Sequence, residues 1–282
     1  MAAGMLLAMA IIVSCGDSAG PKLRVAGIPD QSATSLARRY DALTSYLSEQ
    51  LGVAVEYVPT VDYTATVVAF EQGSVQLAWF GGLSGVMARL RAPGSTAIAQ
   101  RLRDAEFHSV FIVGPGVEAE RLSDLAGATF TFGSELSTSG HLMPRHFLEA
   151  AGIDPDADFS GVPNYSGSHD RTWKLVESGA FEAGALSEAV WEAAVGTGRV
   201  DLSKVRVLSL TPPYPDYNWT IHGDIDEQFG EGFTDRVTDA LLGIDAEVPE
   251  LLELFSAQGF VPAENASYRV IEEAAERAGI IE

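Results

Sequence analysis

Leu23-Arg24-Val25-Ala26-Gly27-Ile28, an amphipathic stretch from Ser32 to Leu51, and Ala54-Val55-Glu56-Tyr57-Val58 together decide the fold. The outer two segments have the β-branched enrichment of strands, and the middle one repeats its apolar residues at helical spacing. The pattern recurs at once. Tyr63 to Gln72 predicts a helix closing at Gly73, and Val75-Gln76-Leu77-Ala78-Trp79-Phe80 predicts a strand stopped by Gly81-Gly82. A βαβαβ unit of this kind builds a parallel sheet with right-handed crossovers, and such sheets take ligands beyond the carboxyl ends of their strands. That rule brings the Pro29-Asp30 turn, Asp62-Tyr63 and Trp79 to Gly82 to one sheet edge.

A second set begins at Ser109 to Val113. It continues with Ala128 to Gly133 before Ser137, Val162 to Tyr165 before His169, and Phe181 to Leu186 before Glu188. Val205 to Leu210 then runs into a proline-rich turn, and the tail from Glu227 reads as helical. The fold class is α/β, with two lobes joined by two crossings, near Glu106 and near Thr211 to Trp219. Residues 22–105 with 220–282 form one lobe and 106–219 the other, which gathers all these turns in one cleft. A chain of 282 residues with 46% apolar content suits two medium cores better than one.

Ser137-Thr138-Ser139-Gly140 stands between a predicted strand and a helix with Leu142, Met143, Phe147, Leu148 and Ala151 at helical spacing. Free N–H groups and the positive end of the helix dipole would point at whatever lies above this turn, with three hydroxyls added. An ordinary serine N-cap is the plainer reading of the same residues. Pro144, so close to the start, is expected to shorten or kink the helix. With 18 basic against 39 acidic residues the net charge is −21, which opposes nucleic acid and anionic membrane surfaces. An anion would have to be held by local N–H and O–H donors. His169 beside Asp170 reads either as a satisfied structural histidine or as an imidazole donor. Trp79 and Trp219 are residues of a core or a lobe interface in the plain reading. His141 and His146 are roughly 140° apart on a helix and form no metal face. No metal or cofactor is implied.

Met5 to Val13 is an apolar run too short to span a bilayer and the size of a signal-peptide core. It ends at Cys15, the single cysteine, so no internal disulfide or thiolate zinc cluster is available. Ile12-Val13-Ser14-Cys15 resembles the lipobox of bacterial lipoproteins, which implies cleavage before Cys15 and its lipidation. Residues 1–21 are then leader and tether.

Seven segments in order resemble the periplasmic binding proteins of phosphate, phosphite and phosphonate ABC transporters, including the branch labelled selenate-binding. They are Gly27-Ile28-Pro29-Asp30, Asp62-Tyr63, Trp79-Phe80-Gly81-Gly82, Phe132-Gly133-Ser134, Ser137 to Pro144, Tyr165 to Asp170 and Thr211 to Trp219. The resemblance implies a two-lobed, type II Venus-flytrap fold with mixed, mostly parallel sheets. It implies a non-enzymatic protein at the periplasm or cell surface, lipid-anchored and monomeric, that presents a small anion to a membrane permease. It puts the Ser137, Thr138 and Ser139 hydroxyls on the phosphorus-bound oxygens, with Tyr63 and His169 as further donors. Glu188 and Asp216 look like the acidic positions that meet a substrate amine in phosphonate-binding relatives, although Tyr214 to Trp219 resembles the phosphite and selenate-labelled branch better. Phe107 stands where some phosphonate binders have tyrosine. An aromatic wall of Trp79 or Tyr217 would cover the apolar P–H of phosphite, and a carboxylate at Asp216 would accept from a P–O–H group and repel selenate or sulfate. The alternatives are a binder of selenate or another oxyanion, a sensory binding protein, and a hydrolase with Ser139 as nucleophile, His169 as base and Asp216 as orienting acid. No Gly-x-Ser-x-Gly elbow supports the last.

Overall fold

The computed structural model describes residues 20–281, so the apolar run Met5 to Val13 and Cys15 lie outside the described residues. The chain opens with β1 (Leu23–Gly27), α1 (Ala33–Leu51), β2 (Val55–Tyr57), α2 (Tyr63–Glu71), β3 (Leu77–Phe80), α3 (Gly82–Arg91) and β4 (Thr96–Arg101). Local chemistry sets these boundaries. Ser32 Oγ accepts from Ser35 N–H at the start of α1, and Gly52, at φ 68°, ends it in the left-handed region that a side chain would resist. Leu36, Tyr40, Leu43, Leu47 and Leu51 form the buried stripe of α1. Asp62 Oδ1 accepts from Ala65 N–H at 2.7 Å and starts α2 at Tyr63.

The second lobe holds β5 (Ser109–Val113), β6 (Phe130–Phe132), α4 (Met143–Ala150), β7 (Asn164–Tyr165), α5 (His169–Glu177), β8 (Ala183–Ser187), α6 (Glu188–Gly196) and β9 (Arg206–Leu210). The chain then returns as β10 (Asn218–Ile221), α7 (Ile225–Phe229), α8 (Phe233–Leu242), α9 (Pro249–Leu254), β11 (Phe260–Pro262) and α10 (Arg269–Arg277). The first sheet runs β11-β4-β10-β3-β1-β2 and the second β7-β6-β8-β5-β9.

Strand directions fix where the cleft lies. β1 pairs in parallel with β2 and β3, while β10 is antiparallel to both β3 and β4, and β11 is antiparallel to β4. Four strands of the first sheet therefore share a direction. In the second, β6 is parallel to β7 and β8, and β5 is antiparallel to β8 and β9, so β5 alone is reversed. β5 and β10 are the strands that enter each sheet straight from a crossing. Their amino ends, and the carboxyl ends of their antiparallel neighbours, consequently face the other lobe. The second sheet is covered on both faces, because Phe111 and Val113 of β5 pack to one side and Val110 and Ile112 to the other.

The crossings bond to each other. Phe107 N–H donates to Tyr214 O at 2.8 Å, Tyr214 N–H returns to Phe107 O at 3.0 Å, and Asp216 N–H reaches Asp104 O at 3.0 Å. β10 begins at Asn218, inside the segment read from sequence as a proline-rich turn, and Trp219 is a core residue of the first sheet. The structure adds β4, and it places β11 within the tail from Glu227 that the sequence pattern predicts to be helical. β10 is only four residues long and buried throughout, so it shows no alternation, while β11 is a three-residue edge strand carrying Pro262. Among the described residues no helix is long and apolar enough to cross a membrane.

Candidate functional site

Both sheets end their strands toward the same space. From the first lobe come Asp30 after β1, Tyr63 at the start of α2, and Gly81-Gly82-Leu83 where β3 turns into α3. From the second come the Ser137 to Gly140 turn after β6, His169 at the start of α5 and Ser187 at the start of α6, and Asp216 and Tyr217 sit in the returning crossing.

The Ser137 turn is wider than a helix cap. Residues Thr138–Leu142 make a π-helical turn in which Met143 N–H reaches Thr138 O, and α4 begins after it. Pro144 falls in the first turn of α4, where no N–H is needed, and the widened turn Thr138–Leu142 directly precedes it. Ser137 Oγ accepts from Gly140 N–H at 2.9 Å, so the capping reading of that serine is correct for its lone pair, and its proton is left to donate. Gly140 must be glycine. A Cβ there would lie 2.9 Å from Ser137 Oγ and 3.1 Å from the Cα of Gly133.

Across the cleft the amino end of α3 faces this turn. Leu83 N–H donates to Thr138 Oγ1 at 2.9 Å, and Gly82 N–H donates to Asp216 Oδ1 at 2.9 Å. A Cβ on Gly81 would meet both Asp216 Oδ1 and Thr138 Oγ1 at 3.1 Å, so the close approach of the two lobes depends on that glycine. The sequence reading put Gly81-Gly82 at this edge but assigned no role to the N–H groups that follow β3; the strand-to-helix turn itself was the available signal.

Ser137, Thr138, Ser139, Tyr63 and Asp216 are all buried, and two of their atoms, Tyr63 Oη and Asp216 Oδ2, have no hydrogen-bond partner. Burial pushes the Tyr63 phenol well above its usual value, with Asp30 adding and the Ser137 hydroxyl opposing. Burial also pushes the Asp216 carboxyl up to about 7; Gly82 N–H and the Ser139 and Thr138 hydroxyls oppose this, and Asp104 adds to it. Among the described residues no arginine or lysine joins the set. Arg101 is engaged by Asp104 at 2.7 and 2.6 Å and by Phe255 O, and Arg39 donates to Leu254 O and lies 3.9 Å from Asp30. What converges is a group of neutral donors with one titratable carboxyl. It can strip and hold a small, acceptor-rich ion.

The other candidates divide. His169 packs with Cε1 beside Gly140, takes Ser187 N–H on Nδ1 at 3.2 Å, and meets Tyr217 Oη through Nε2 at 3.3 Å. Those partners assign the proton to Nε2. Burial lowers its pKa to about 4, so the ring is neutral at pH 7. Tyr217 donates onward to Asp30 Oδ2 at 3.1 Å. Trp79 lies one layer behind, stacked on Tyr217 with centroids 5.5 Å apart and set among Trp219, Phe255 and Phe260 in the core. Phe107, where a tyrosine was noted in some relatives, is likewise buried against the edge of Tyr217. Glu188 is not brought to the donors. Its carboxylate pairs with Arg103 at 3.4 Å at the hinge, where Arg103 also holds Glu192 at 2.8 Å. The hydrolase arrangement is also not formed, because both ring nitrogens of His169 are engaged elsewhere and Asp216 bonds Gly82 rather than the imidazole. His141 is buried and structural, with Nδ1 donating to Glu135 O at 2.7 Å. Among the described residues no group of three or more His, Cys, Asp or Glu could hold a metal ion.

A family profile described as ABC transporter, phosphonate, periplasmic substrate-binding protein matches residues 25–268. The chain is 43% identical over 260 residues to the probable ABC transporter phosphite binding protein PhnD1 of Prochlorococcus marinus (strain MIT 9301), covering 89% of this chain and 88% of that one. The structure of PhnD1 from the same organism in complex with methylphosphonate superposes with a TM-score of 0.89 at 42% identity, covering 92% of this chain and 99% of that one. The phosphate-import protein PhnD of Mycolicibacterium smegmatis is 30% identical over 172 residues, 57% of this chain and 54% of that one.

Proposed function

The chain belongs to the periplasmic substrate-binding proteins of ABC phosphonate transporters, and from that premise we propose that it captures a small phosphorus oxyanion, phosphite, a short phosphonate or phosphate, between its lobes and delivers it to a permease. Such a protein is a binder and not an enzyme. The observation that carries the ligand class is the cluster of Ser137, Thr138 and Ser139 hydroxyls that two facing helix starts bring together, with Gly82 N–H and Leu83 N–H bonded across the cleft to Asp216 and Thr138 and Tyr63 Oη partnerless beside them.

The carboxyl of Asp216 sets the choice among oxyanions. At neutral pH phosphate carries a P–O–H donor and sulfate and selenate carry only acceptors, so an ionised Asp216 accepts from the first and repels the others. The pairing of Glu188 with Arg103 at 3.4 Å supports phosphite and methylphosphonate over aminoalkylphosphonates, because a ligand amine would compete with that guanidinium for the carboxylate. The stack of Tyr217 on Trp79 supplies an apolar surface for a P–H or P–CH3 group. We infer that the mature protein is lipid-anchored through Cys15; the support is the lipobox-like Ile12-Val13-Ser14-Cys15, and a Cys15→Ala variant should leave the membrane fraction.

Calorimetry against phosphate, phosphite, methylphosphonate, aminoethylphosphonate, sulfate and selenate tests the reading. One-to-one saturation by a phosphorus species without added metal is expected. Saturation by sulfate or an amino acid, with no heat from any phosphorus species, overturns it.

A further inference from the structure

The two lobes finish each other's helices. α1 follows its N-cap Ser32 and α5 begins at His169, and the N–H groups of Ser32 and His169 both bond across the cleft. The starts of α1, α2 and α6 are capped locally by the side chains of Ser32, Asp62 and Ser187, but Ser168 makes no such bond for α5. The first N–H of α5, on His169, is one of the orphan donors of a helix start. Its acceptor is Asp30 O at 3.0 Å, in the other lobe.

The reverse bond is also present. In a capping box the third helical residue is a Glu or Gln that reaches back to the N-cap N–H. In α1 that residue is Ser35, whose hydroxyl bonds Ser32 Oγ at 2.9 Å instead. Ser32 N–H donates to Asp170 Oδ2 at 3.1 Å, so the missing carboxylate comes from α5 across the cleft. Within its own lobe Asp170 is buried and is held by Arg199 Nη1 at 3.3 Å and Trp173 Nε1 at 3.4 Å, which fix its aim.

We propose that Asp170 is a positioning residue that sets affinity without touching the ligand, by completing with Asp30 O a split pair of helix caps that exists only when the cleft is shut. Separation of the lobes breaks both bonds and leaves two helix-start N–H groups to water. The latch thereby adds to the closed population before any anion binds. For a ligand held only by the closed form, apparent affinity is the closed-form affinity scaled by that population, and the scaling is common to every ligand. This rests on the oxyanion-binding reading above for its ligands, but not for its geometry.

Asp170→Ala should weaken phosphite, methylphosphonate and phosphate by one shared factor of about 10- to 100-fold, the size of a hydrogen bond to a charged group, with their order and ratios unchanged. Scattering of the unliganded variant should show a larger radius of gyration than the wild type. Ser32 has φ −65°, which proline adopts, so Ser32→Pro removes the N–H without straining that residue. Ser32→Ala controls for the lost hydroxyl. Ser32→Pro should be weaker than Ser32→Ala by the Asp170→Ala factor, and the Asp170→Ala/Ser32→Pro double variant no weaker than Ser32→Pro. Unchanged affinity, altered ligand ratios, or additive losses in the double variant overturn the latch. If the wild type binds no phosphorus oxyanion, the function fails instead, and the unliganded radii of wild type and Asp170→Ala still decide the latch, equal radii refuting it.

Discussion

Asp216→Asn separates charge from shape at the centre of the cleft. In the closed structure the carboxyl is buried, with Oδ1 on Gly82 N–H and Oδ2 without a partner, and its pKa is raised from 3.8 to about 7. A carboxyl raised in this way favours its neutral form in the closed site. Its contribution to closure is therefore complete below pH 3.8 and is lost as pH rises through about 7. Ionising the group inside the shut cleft therefore costs on the order of 4 kcal/mol. An anion bound beside it raises the cost further, and the pair then needs one proton.

Sulfate has no proton to supply between pH 6 and 9, so it must take one from solution. Wild-type affinity for sulfate should fall by about tenfold per pH unit as pH rises above the open-state value of 3.8 and through about 7, as expected for uptake of one proton. Calorimetry in buffers of different ionisation heat reads that proton directly. The asparagine keeps an oxygen for Gly82 N–H, offers N–H to the anion and does not titrate. Its sulfate affinity should be flat with pH, and its preference for phosphate over sulfate at pH 8 should shrink. A flat wild-type profile, or the same slope in the variant, would refute the placement of the carboxyl against the ligand.

Tyr63→Phe should weaken phosphite binding by about 1.5–3 kcal/mol while leaving the unliganded melting temperature unchanged or raised, since the hydroxyl it removes is buried without a partner; a lowered melting temperature with full affinity would contradict this. Ser137→Ala should lose a similar amount of affinity and also about 1 kcal/mol of stability, because Gly140 N–H loses its acceptor. Thr138→Ala should impair binding and closure together, as Leu83 N–H loses its partner across the cleft. In Asp216→Asn, where the opposing carboxyl no longer titrates, acid should open the cleft. His169 is neutral when buried, with its pKa lowered from 6.5 to about 4, so its contribution is present above pH 6.5 and lost as pH falls toward 4. Ligand-dependent compaction measured by scattering across that window checks it, and persistence of full compaction at pH 4 counts against it.

The alternation of strand and helix was legible because each early element advertises itself. Leu36, Tyr40, Leu43 and Leu47 recur at helical spacing, and the strand cores Leu23–Gly27 and Leu77–Phe80 stop at glycine or proline turns. What stayed hidden depended on tertiary partners far away in sequence. Asn218 to Ile221 becomes a strand because β3 and β4 leave a gap between them, a fact of tertiary pairing with no period of its own. The site divides along the same line. Hydroxyls at Ser137 to Ser139 and the ring of Tyr63 are side-chain chemistry at strand ends and can be read directly. Whether Glu188 turns inward is decided by Arg103, 85 positions away, and the N–H groups of Gly82 and Leu83 are backbone and carry no residue signature.

The acidity of the chain is a consequence this site can bear. A net charge of −21 repels any anion at long range, but exposed charges are screened over roughly 8–10 Å at physiological ionic strength. Inside the shut cleft the donors are fixed dipoles, two helix starts and four hydroxyls, which strengthen as water leaves. A lysine or arginine in their place would hold any small anion in proportion to its charge. Neutral donors around one carboxyl of pKa about 7 count protons instead. The chain thus gains discrimination between oxyanions of like size and charge from the same group that makes its cleft harder to close, and Asp30 O and Asp170, bonding across the cleft at 3.0 and 3.1 Å, supply part of the closing free energy that Asp216 withholds.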